Sequence, residues 1–541
     1  MTLLGDLLRE IARRDGSREA YVYGGERLTY ATLDQRSDRL ASAFYGLGLR
    51  KGDVLALLLP PRPEYPLCYL AAAKIGVITT GINPRFGAGE IDFILRDSGA
   101  RVLVTISEHG GQDVLARVRR LGARIASLER VYVVDVDPTR GAERRASESK
   151  SCVRDPEVRP PRVAPFAELE QVDAPSPAPP RADLSPDDLV ALVYTSGTTG
   201  RPKGAMFSYA SLEAVRSTRG EMMQEYGERS IAVGTPFSHI GFMSKIGSTI
   251  SQAQTTFILD SFKARTVLET VERERITYLG GVPAQWSLML MDPEIESFDL
   301  SSLRAGAIGG APFTPELVRA IRERFRIELV TRYSCTETAV GTGSRPGDSE
   351  EQLADTVGRP SAIVELRIVD GERRPLPAGE IGEVAIRSPA VTLGYWRQPE
   401  ATAAVKDEAG FFYTGDLGVL DDQGYLRLVG RKKEMYIRGG YNVYPIEVEA
   451  VLGEHPGVAQ VAVIGVPDPV LGEKGVAFIV PRDAARPPDA AQLRCFVKDR
   501  IADYKVPDRV VLRTELPLTP GMKVDKRALA ELVPEGAPRT S

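Results

Sequence analysis

Cysteine, histidine and tryptophan are scarce in this chain: its 541 residues include four cysteines, three histidines and two tryptophans. Cys68, Cys152, Cys335 and Cys495 are scattered, with no CxxC pair and no short spacing. That pattern argues against a structural zinc site or a disulfide framework and fits a reducing cytoplasmic compartment. His109, His239 and His455 lie far apart in sequence, which disfavours a histidine-based metal site. A net positive charge is missing too. Lys+Arg 69 against Asp+Glu 73 leaves −4, so no overall basic field attracts nucleic acid or an anionic membrane. The longest apolar run, LCYLAAAKIGVITTGI from 67 to 82, contains Lys74 and is shorter than the roughly 20 residues that span a bilayer. The opening MTLLGDLLREIARRDG reads as an amphipathic helix, without the basic start, apolar run and small-residue cleavage site of a signal peptide. No membrane crossing is expected.

What is present is a long, ordinary globular composition, 43% hydrophobic and 26% charged, too large for one core and predictive of two or more domains. The first hundred or so residues alternate helix-like and strand-like segments (DQRSDRLASAFYGLG, DVLALLLP, ARVLVTI), the pattern of parallel α/β layers. From Asp137 to Asp187 the text becomes rich in Pro, Ser, Arg and acids with little apolar periodicity, which reads as a surface loop acting as a linker. LVALVYT then reads as a core strand, and strands and helices alternate to about residue 330. Between 355 and 430 segments shorten and turns multiply, predicting antiparallel hairpins with a turn at Asp370-Gly371. From Arg431 onward the alternation returns, suggesting a separate α+β domain of about a hundred residues. The fold class is α/β with a β-rich subdomain.

The strongest local signal is YTSGTTGRPKG, Tyr194 to Gly204, directly after a predicted strand. Its glycines allow close backbone approach, Thr195, Ser196, Thr198 and Thr199 supply hydroxyls, and Lys203 supplies a cation, so such a loop can wrap a polyphosphate. It is not a Walker loop, because Lys203 lies between Pro202 and Gly204 and GxxxxGK[ST] cannot be aligned. GLGLRKG, from Gly46, follows a helix with the wrong spacing for a dinucleotide fingerprint.

YTSGTTGRPKG resembles the signature loop of the AMP-forming, adenylate-forming superfamily, which includes acyl-CoA synthetases, peptide-synthetase adenylation domains and firefly luciferase. The resemblance continues in order through PFSHIGF, GAIGGAP, YSCTE, YTGDLG, GRKKEMYIRGGYNVYPIEVE and PLTPGMKVDK, nearly the whole chain. It implies a large N-terminal core domain, 1–430, of layered α/β subdomains plus the β-rich one, and a small mobile C-terminal lid, 431–541. It also implies two half-reactions: a carboxylate attacks the α-phosphorus of ATP, and a thiol then attacks the acyl adenylate. Both reactants of the first step are anions, so cations and fixed donors are needed where charge builds.

Residue by residue, the resemblance makes Lys523 the lysine that contacts the carboxylate and α-phosphate; without the motif it would read as a solvated surface lysine like Lys526. Thr195, Ser196, Gly197, Thr198, Thr199 and Lys203 match the phosphate loop. Thr336 would bond phosphate and Glu337 would hold Mg²⁺, a hard cation suited to oxygen ligands. Tyr333 matches the aromatic stacked on adenine, with the backbone of Gly309, Gly310, Ala311 and Pro312 along the base. Asp416 matches the acceptor of both ribose hydroxyls, although Asp in a glycine turn is more often an Asx-type cap. Arg431 matches a ribose-contacting arginine, and Lys433 the hinge about which the lid rotates. Gly439 and Gly440 match glycines lining the pantetheine tunnel, or form a simple hairpin turn. His239 matches the gate between acyl and pantetheine pockets, or is a hydrogen-bonded core histidine.

The same analogy puts the acyl pocket near Phe237, Ile240, Gly241, Gln285, Trp286, Ile308, Ser334 and Cys335, mostly apolar and suited to an acid with a hydrophobic body; Trp286 reads equally as core. Three departures from the family pattern stand out. Ser334 replaces a usual Gly beside the acyl carboxylate, Met522 replaces the Gly before Lys523 and is strained if φ there is positive, and Phe411 replaces a common Trp. The expected activity is an acyl-CoA synthetase using ATP, Mg²⁺ and CoA in the cytoplasm; the alternative is a ligase loading a carrier-protein pantetheine thiol. A homodimer is the prior for such an enzyme.

Overall fold

The computed structural model describes residues 2–122, 124–135, 160–171, 183–195, 202–218, 228–233, 236–345, 347–519 and 522–533. The chain divides into two compact units, the first comprising Met1–Leu279, Thr336–Val340 and Ser388–Asp407, the second Gly280–Cys335, Gly341–Arg387 and Glu408–Ser541. Among the described residues, no helix is long and apolar enough to cross a membrane.

In the first unit a sheet runs Lys203–Ser208, Leu189–Thr195, Ile78–Gly81, Val54–Leu58, Val102–Thr105, Arg130–Val133, Arg162–Pro165. Its strands pair in parallel, except for the Lys203–Ser208 edge, which is antiparallel to Leu189–Thr195. VLALL is buried at every position, as a strand covered on both faces requires. The helix Tyr30–Gly46 starts where the Thr29 side chain accepts the Thr32 N–H, satisfying one otherwise unpaired donor. It is tied to the helix Glu64–Lys74 by Lys74, whose side chain is 5% exposed and whose ammonium meets Asp34 at 2.6 Å and Asp38 at 2.7 Å. A second group of strands, Glu26–Thr29, Glu19–Tyr23, Thr255–Ile258 and Arg229–Ala232, lies in the same unit.

The expected loop from 137 to 187 is corrected in part. Most of it lies outside the described residues, but Arg162–Pro165 forms the edge strand of the first sheet and Ala167–Glu170 a helical turn. Ala164, Phe166 and Leu169 are buried there; a few apolar residues suffice to dock a strand on an existing edge, and that is too short a pattern to stand out amid Pro and Arg.

The second unit contains the parallel pair Ala305–Gly309 and Glu328–Tyr333, then a four-stranded antiparallel sheet of Glu365–Val369, Gly382–Arg387, Phe412–Leu420 and Leu426–Arg431, the β-rich region expected from the turn density. Its first turn differs from expectation. Asp370 caps the turn by accepting the N–H groups of Glu372 and Arg374, and the left-handed residue is Arg373, φ 64°, not Gly371. The loop is longer than a two-residue DG hairpin, so the glycine is not the residue under conformational demand. The C-terminal segment forms a further sheet from Tyr436–Arg438, Tyr441–Val443, Val458–Asp468, Gly472–Pro481 and Arg509–Leu512. Along Gly472–Pro481, Ala477 and Ile479 belong to one core with Val448, Leu452, Leu493 and Val497 of two helices, while Val476 and Phe478 belong to another with Leu516 and Leu529. The alternation is the period of two that a strand imposes.

Candidate active site

In the first unit the predicted phosphate loop joins two antiparallel strands in which Thr195 faces Lys203 and Tyr194 faces Gly204. A side chain at Gly204 would press on the Tyr194 ring at 3.0 Å, so this glycine serves packing. Ser196, Gly197, Thr198 and Thr199 lie outside the described residues. Lys203 reaches across to Tyr395, its ammonium 4.9 Å from the ring centroid, and the Tyr395 hydroxyl donates to Glu337 Oε1 at 2.8 Å. Tyr395 is there because Leu393 to Trp396 runs beside the strand Lys203–Ser208: Leu393 N–H bonds Met206 O, Met206 N–H bonds Gly394 O, and Trp396 N–H bonds Gly204 O. Glu337 sits in a turn with Thr336 after the strand Glu328–Tyr333, as expected. The Thr392 N–H pins this turn by donating to the Glu337 carbonyl at 2.7 Å.

The acyl-pocket candidates of this unit lie close together in sequence, from Phe237 to Gly241. Phe237 and Ile240 are buried, and Phe237 stacks on Phe242 with Tyr65 set edge-on to both rings. His239 caps the short helix Ile240–Met243, its Nδ1 accepting the Gly241 N–H at 3.0 Å. That bond makes Nδ1 the acceptor and puts the proton of the neutral ring on Nε2.

In the second unit the carboxylate of Asp416, 5% exposed, is gripped on both oxygens. Tyr333 donates its hydroxyl to Oδ2 at 2.7 Å and Arg431 meets Oδ1 through Nε at 2.8 Å. Strand register explains the second contact, since Asp416 and Arg431 face each other across an antiparallel pair. Burial and the Asp416 carboxylate push the Tyr333 phenol well above its ordinary range, so it stays a neutral donor. Gly309 closes the strand Ala305–Gly309 where a side chain would come within 2.4 Å of the Arg332 carbonyl, and Gly310 follows at φ 80°. Ala311 and Pro312 continue on the surface side of that turn.

Lys523 sits in a tight turn. Leu518 and Val524 bridge, and the Thr519 N–H donates to the Lys523 carbonyl at 2.7 Å. Met522 has φ 61°, the strained left-handed conformation that its replacement of glycine foreshadows. Partial desolvation and the Arg431 guanidinium hold the Lys523 ammonium below the usual lysine range, with Asp416 pulling the other way, although the residue as a whole is exposed. Lys526, by contrast, is no solvated lysine, which corrects the sequence reading. Its ammonium bridges Glu434 at 2.9 Å and Glu449 at 2.8 Å, and its side chain is 25% exposed.

The remaining residues are placed as follows. Trp286 is fully buried, its indole N–H donates to the Ala307 carbonyl at 3.2 Å and its ring meets Phe325 edge-on: a core role by geometry. Gln285 is buried and caps its helix by accepting the Val282 N–H. Ile308 is buried in its strand, Ser334 is exposed, and Cys335 is half-buried and unbridged. Lys433 lies exposed in the turn closed by Glu434 and Met435 N–H groups on the Arg431 carbonyl. Gly439 and Gly440, φ 58° and 88°, make a two-residue turn between Arg438 and Tyr441, a conformation that calls for positive φ at both positions. Sequence reasoning missed Tyr395 and the Lys526 bridge. Neither carries a local signal, because each partner is distant in the chain.

A model of the AMP-binding enzyme family matches residues 8–396, and one of the AMP-binding enzyme C-terminal domain matches residues 447–523. Feruloyl-CoA synthase from Amycolatopsis sp is 35% identical over 517 residues, covering 95% of this chain and 96% of that protein. Among solved structures, the amide bond synthetase McbA from Marinactinospora thermotolerans superposes with TM-score 0.82 at 31% identity, over 98% of this chain and 99% of that one. The anthranilate CoA ligase AuaEII in complex with anthranoyl-AMP gives TM-score 0.85 at 26% identity, over 98% of both chains. With both family models matched and likeness of this extent along almost its whole length, the chain belongs to the AMP-binding enzymes of the adenylate-forming superfamily.

Proposed function

We propose that this enzyme is an acyl-CoA synthetase. A carboxylate oxygen attacks the α-phosphorus of ATP, the bond to pyrophosphate breaks, and the thiol of CoA then attacks the acyl carbon, loses its proton and displaces AMP. The observation that supports this most directly is the Asp416 carboxylate, held by the Tyr333 hydroxyl at 2.7 Å and by Arg431 Nε at 2.8 Å, the set of residues that the resemblance assigns to the nucleoside. In this reading Lys523 stabilises the negative charge growing on the acid and the α-phosphoryl oxygens.

In this reading Asp416 and Arg431 take the ribose hydroxyls, Tyr333 with the Gly309–Pro312 backbone takes the adenine, and the phosphate loop with Lys203 and Thr336 takes the polyphosphate. Glu337 suits Mg²⁺: it is a hard oxygen donor, and among the described residues its Oε2 has no hydrogen-bond or ion-pair partner. Mg²⁺, when bound, neutralises phosphate charge. By the same resemblance Phe237, Ile240, Gly241, Gln285, Trp286, Ile308 and Ser334 serve the acid, and their mostly apolar character favours a hydrophobic acyl body. His239, Gly439 and Gly440 serve the pantetheine arm, Lys433 is the pivot, and residues 431–541 act as the lid. The three described cysteines are unbridged, in keeping with a cytoplasmic setting.

The test is acid-dependent ATP–pyrophosphate exchange with fatty, aromatic and alicyclic acids, followed by thioester formation with free CoA against pantetheinylated carrier proteins. Exchange with at least one acid and turnover with CoA support the reading. Exchange without CoA turnover, but with carrier loading, replaces CoA by the carrier, and exchange with no acid overturns it.

A further inference from the structure

We infer that Tyr395 is a positioning residue that orients the Glu337 carboxylate for a divalent cation and keeps the Lys203 ammonium apart from it. The inference rests on the adenylation reading above and concerns three residues of the first unit. One ring makes both contacts: its hydroxyl donates to Glu337 Oε1 at 2.8 Å, and its face lies 4.9 Å from Lys203 Nζ. Tyr395 is buried, 7% exposed, and its backbone has little freedom. It bridges to Ala205, and its N–H donates to Thr402 Oγ1 at 2.8 Å. The preceding Gly394, at φ 140°, faces Thr402 so closely that a Cβ would come within 2.6 Å of it. Glu337 is fixed at its main chain as well, through the Thr392 N–H.

Two consequences follow from the geometry. With Oε1 engaged by a neutral donor, the carboxylate is oriented and Oε2 is left for a cation, the usual service of an outer-sphere hydrogen bond to a metal-binding carboxylate. The aromatic face also satisfies Lys203 without a carboxylate, and among the described residues Lys203 forms no ion pair. Had Lys203 paired directly with Glu337, each would cancel the other's charge. The tyrosine between them keeps a negative group for the cation and a positive group for phosphate.

The experiment is calorimetric binding of α,β-methylene-ATP, which cannot transfer its adenylyl group to an acid, to the full chain with and without Mg²⁺. Wild type is expected to bind more tightly with Mg²⁺. Tyr395→Phe keeps the ring and loses the hydroxyl, so the Mg²⁺-dependent gain shrinks about tenfold while Mg²⁺-free affinity holds; Tyr395→Leu weakens the Mg²⁺-free affinity too. Tyr395→Phe is expected to add nothing in a Glu337→Gln background, and melting temperatures verify folding of each variant. A Mg²⁺-dependent gain unchanged in Tyr395→Phe, or an equal effect in the Glu337→Gln background, overturns the inference. Wild type that fails to bind the analogue at all overturns the adenylation reading itself, a result visible in the first arm.

Discussion

Asp416 in the second unit and Glu337 in the first are both carboxylates that accept a tyrosine hydroxyl, at 2.7 and 2.8 Å, yet they are left in different states. Asp416 also meets Arg431, so each of its oxygens is occupied by a donor. Among the described residues the Glu337 side chain meets Tyr395 alone, and Lys203 is turned to the face of that same ring. Under the proposed reading, the partner of each carboxylate suits the ligand assigned to it. A guanidinium alongside suits neutral hydroxyls, because the charge is already balanced. A phenol alone leaves a full negative charge for a metal ion.

The comparison can be broken at several points. The largest effect is expected for Lys523→Ala, which lowers exchange by at least about a hundredfold, the cost of removing a key donor at developing charge, while thioester formation from supplied acyl adenylate is largely spared. Equal loss in both assays would contradict this division. Next come the carboxylates themselves. Asp416→Asn weakens ATP about tenfold or more through loss of charged hydrogen bonds without altering Mg²⁺ dependence, whereas Glu337→Gln changes chiefly the Mg²⁺ dependence; titrating ATP at several Mg²⁺ concentrations separates them, and identical behaviour would erase the distinction.

A smaller effect concerns Lys526. Glu449 and Glu434 raise its pKa against the opposing effect of burial. A raised folded value means that its stabilisation is fully present below the ordinary lysine pKa and is lost as pH rises through the folded one. Lys526→Met is expected to cost about 1–2 kcal/mol near neutrality, since it leaves the half-buried carboxylates unpaired, and to flatten this alkaline loss in melting curves. The smallest change is Met522→Gly. Relief of the left-handed φ adds up to about 1 kcal/mol of stability, offset in part by glycine's greater unfolded freedom; a lower melting temperature would show that the turn is unstrained.

The α/β layers and the antiparallel region were legible because VLALL, LVALVYT and the hairpin-rich stretch carry their periodicity within a few residues. Most candidate positions were legible only through the run of family-like strings, since no single TE or GD dipeptide signals a role. The edge strand Arg162–Pro165 was not, because its burial depends on an existing sheet edge. Nor was the displaced turn at Arg373, where loop length governs which residue is left-handed.

By itself the chain's text determined which chemical groups are available, in what order, and where glycine or its absence constrains the backbone, since those are properties of neighbouring residues. Met522 is the clearest case, a missing glycine whose consequence the φ of 61° then displayed. Only the tertiary structure decided which groups meet. Tyr395 and Glu337 are 58 residues apart and Lys526 and Glu434 are 92 apart, and side-chain encounters at such separations follow from strand register and packing, which no local pattern encodes.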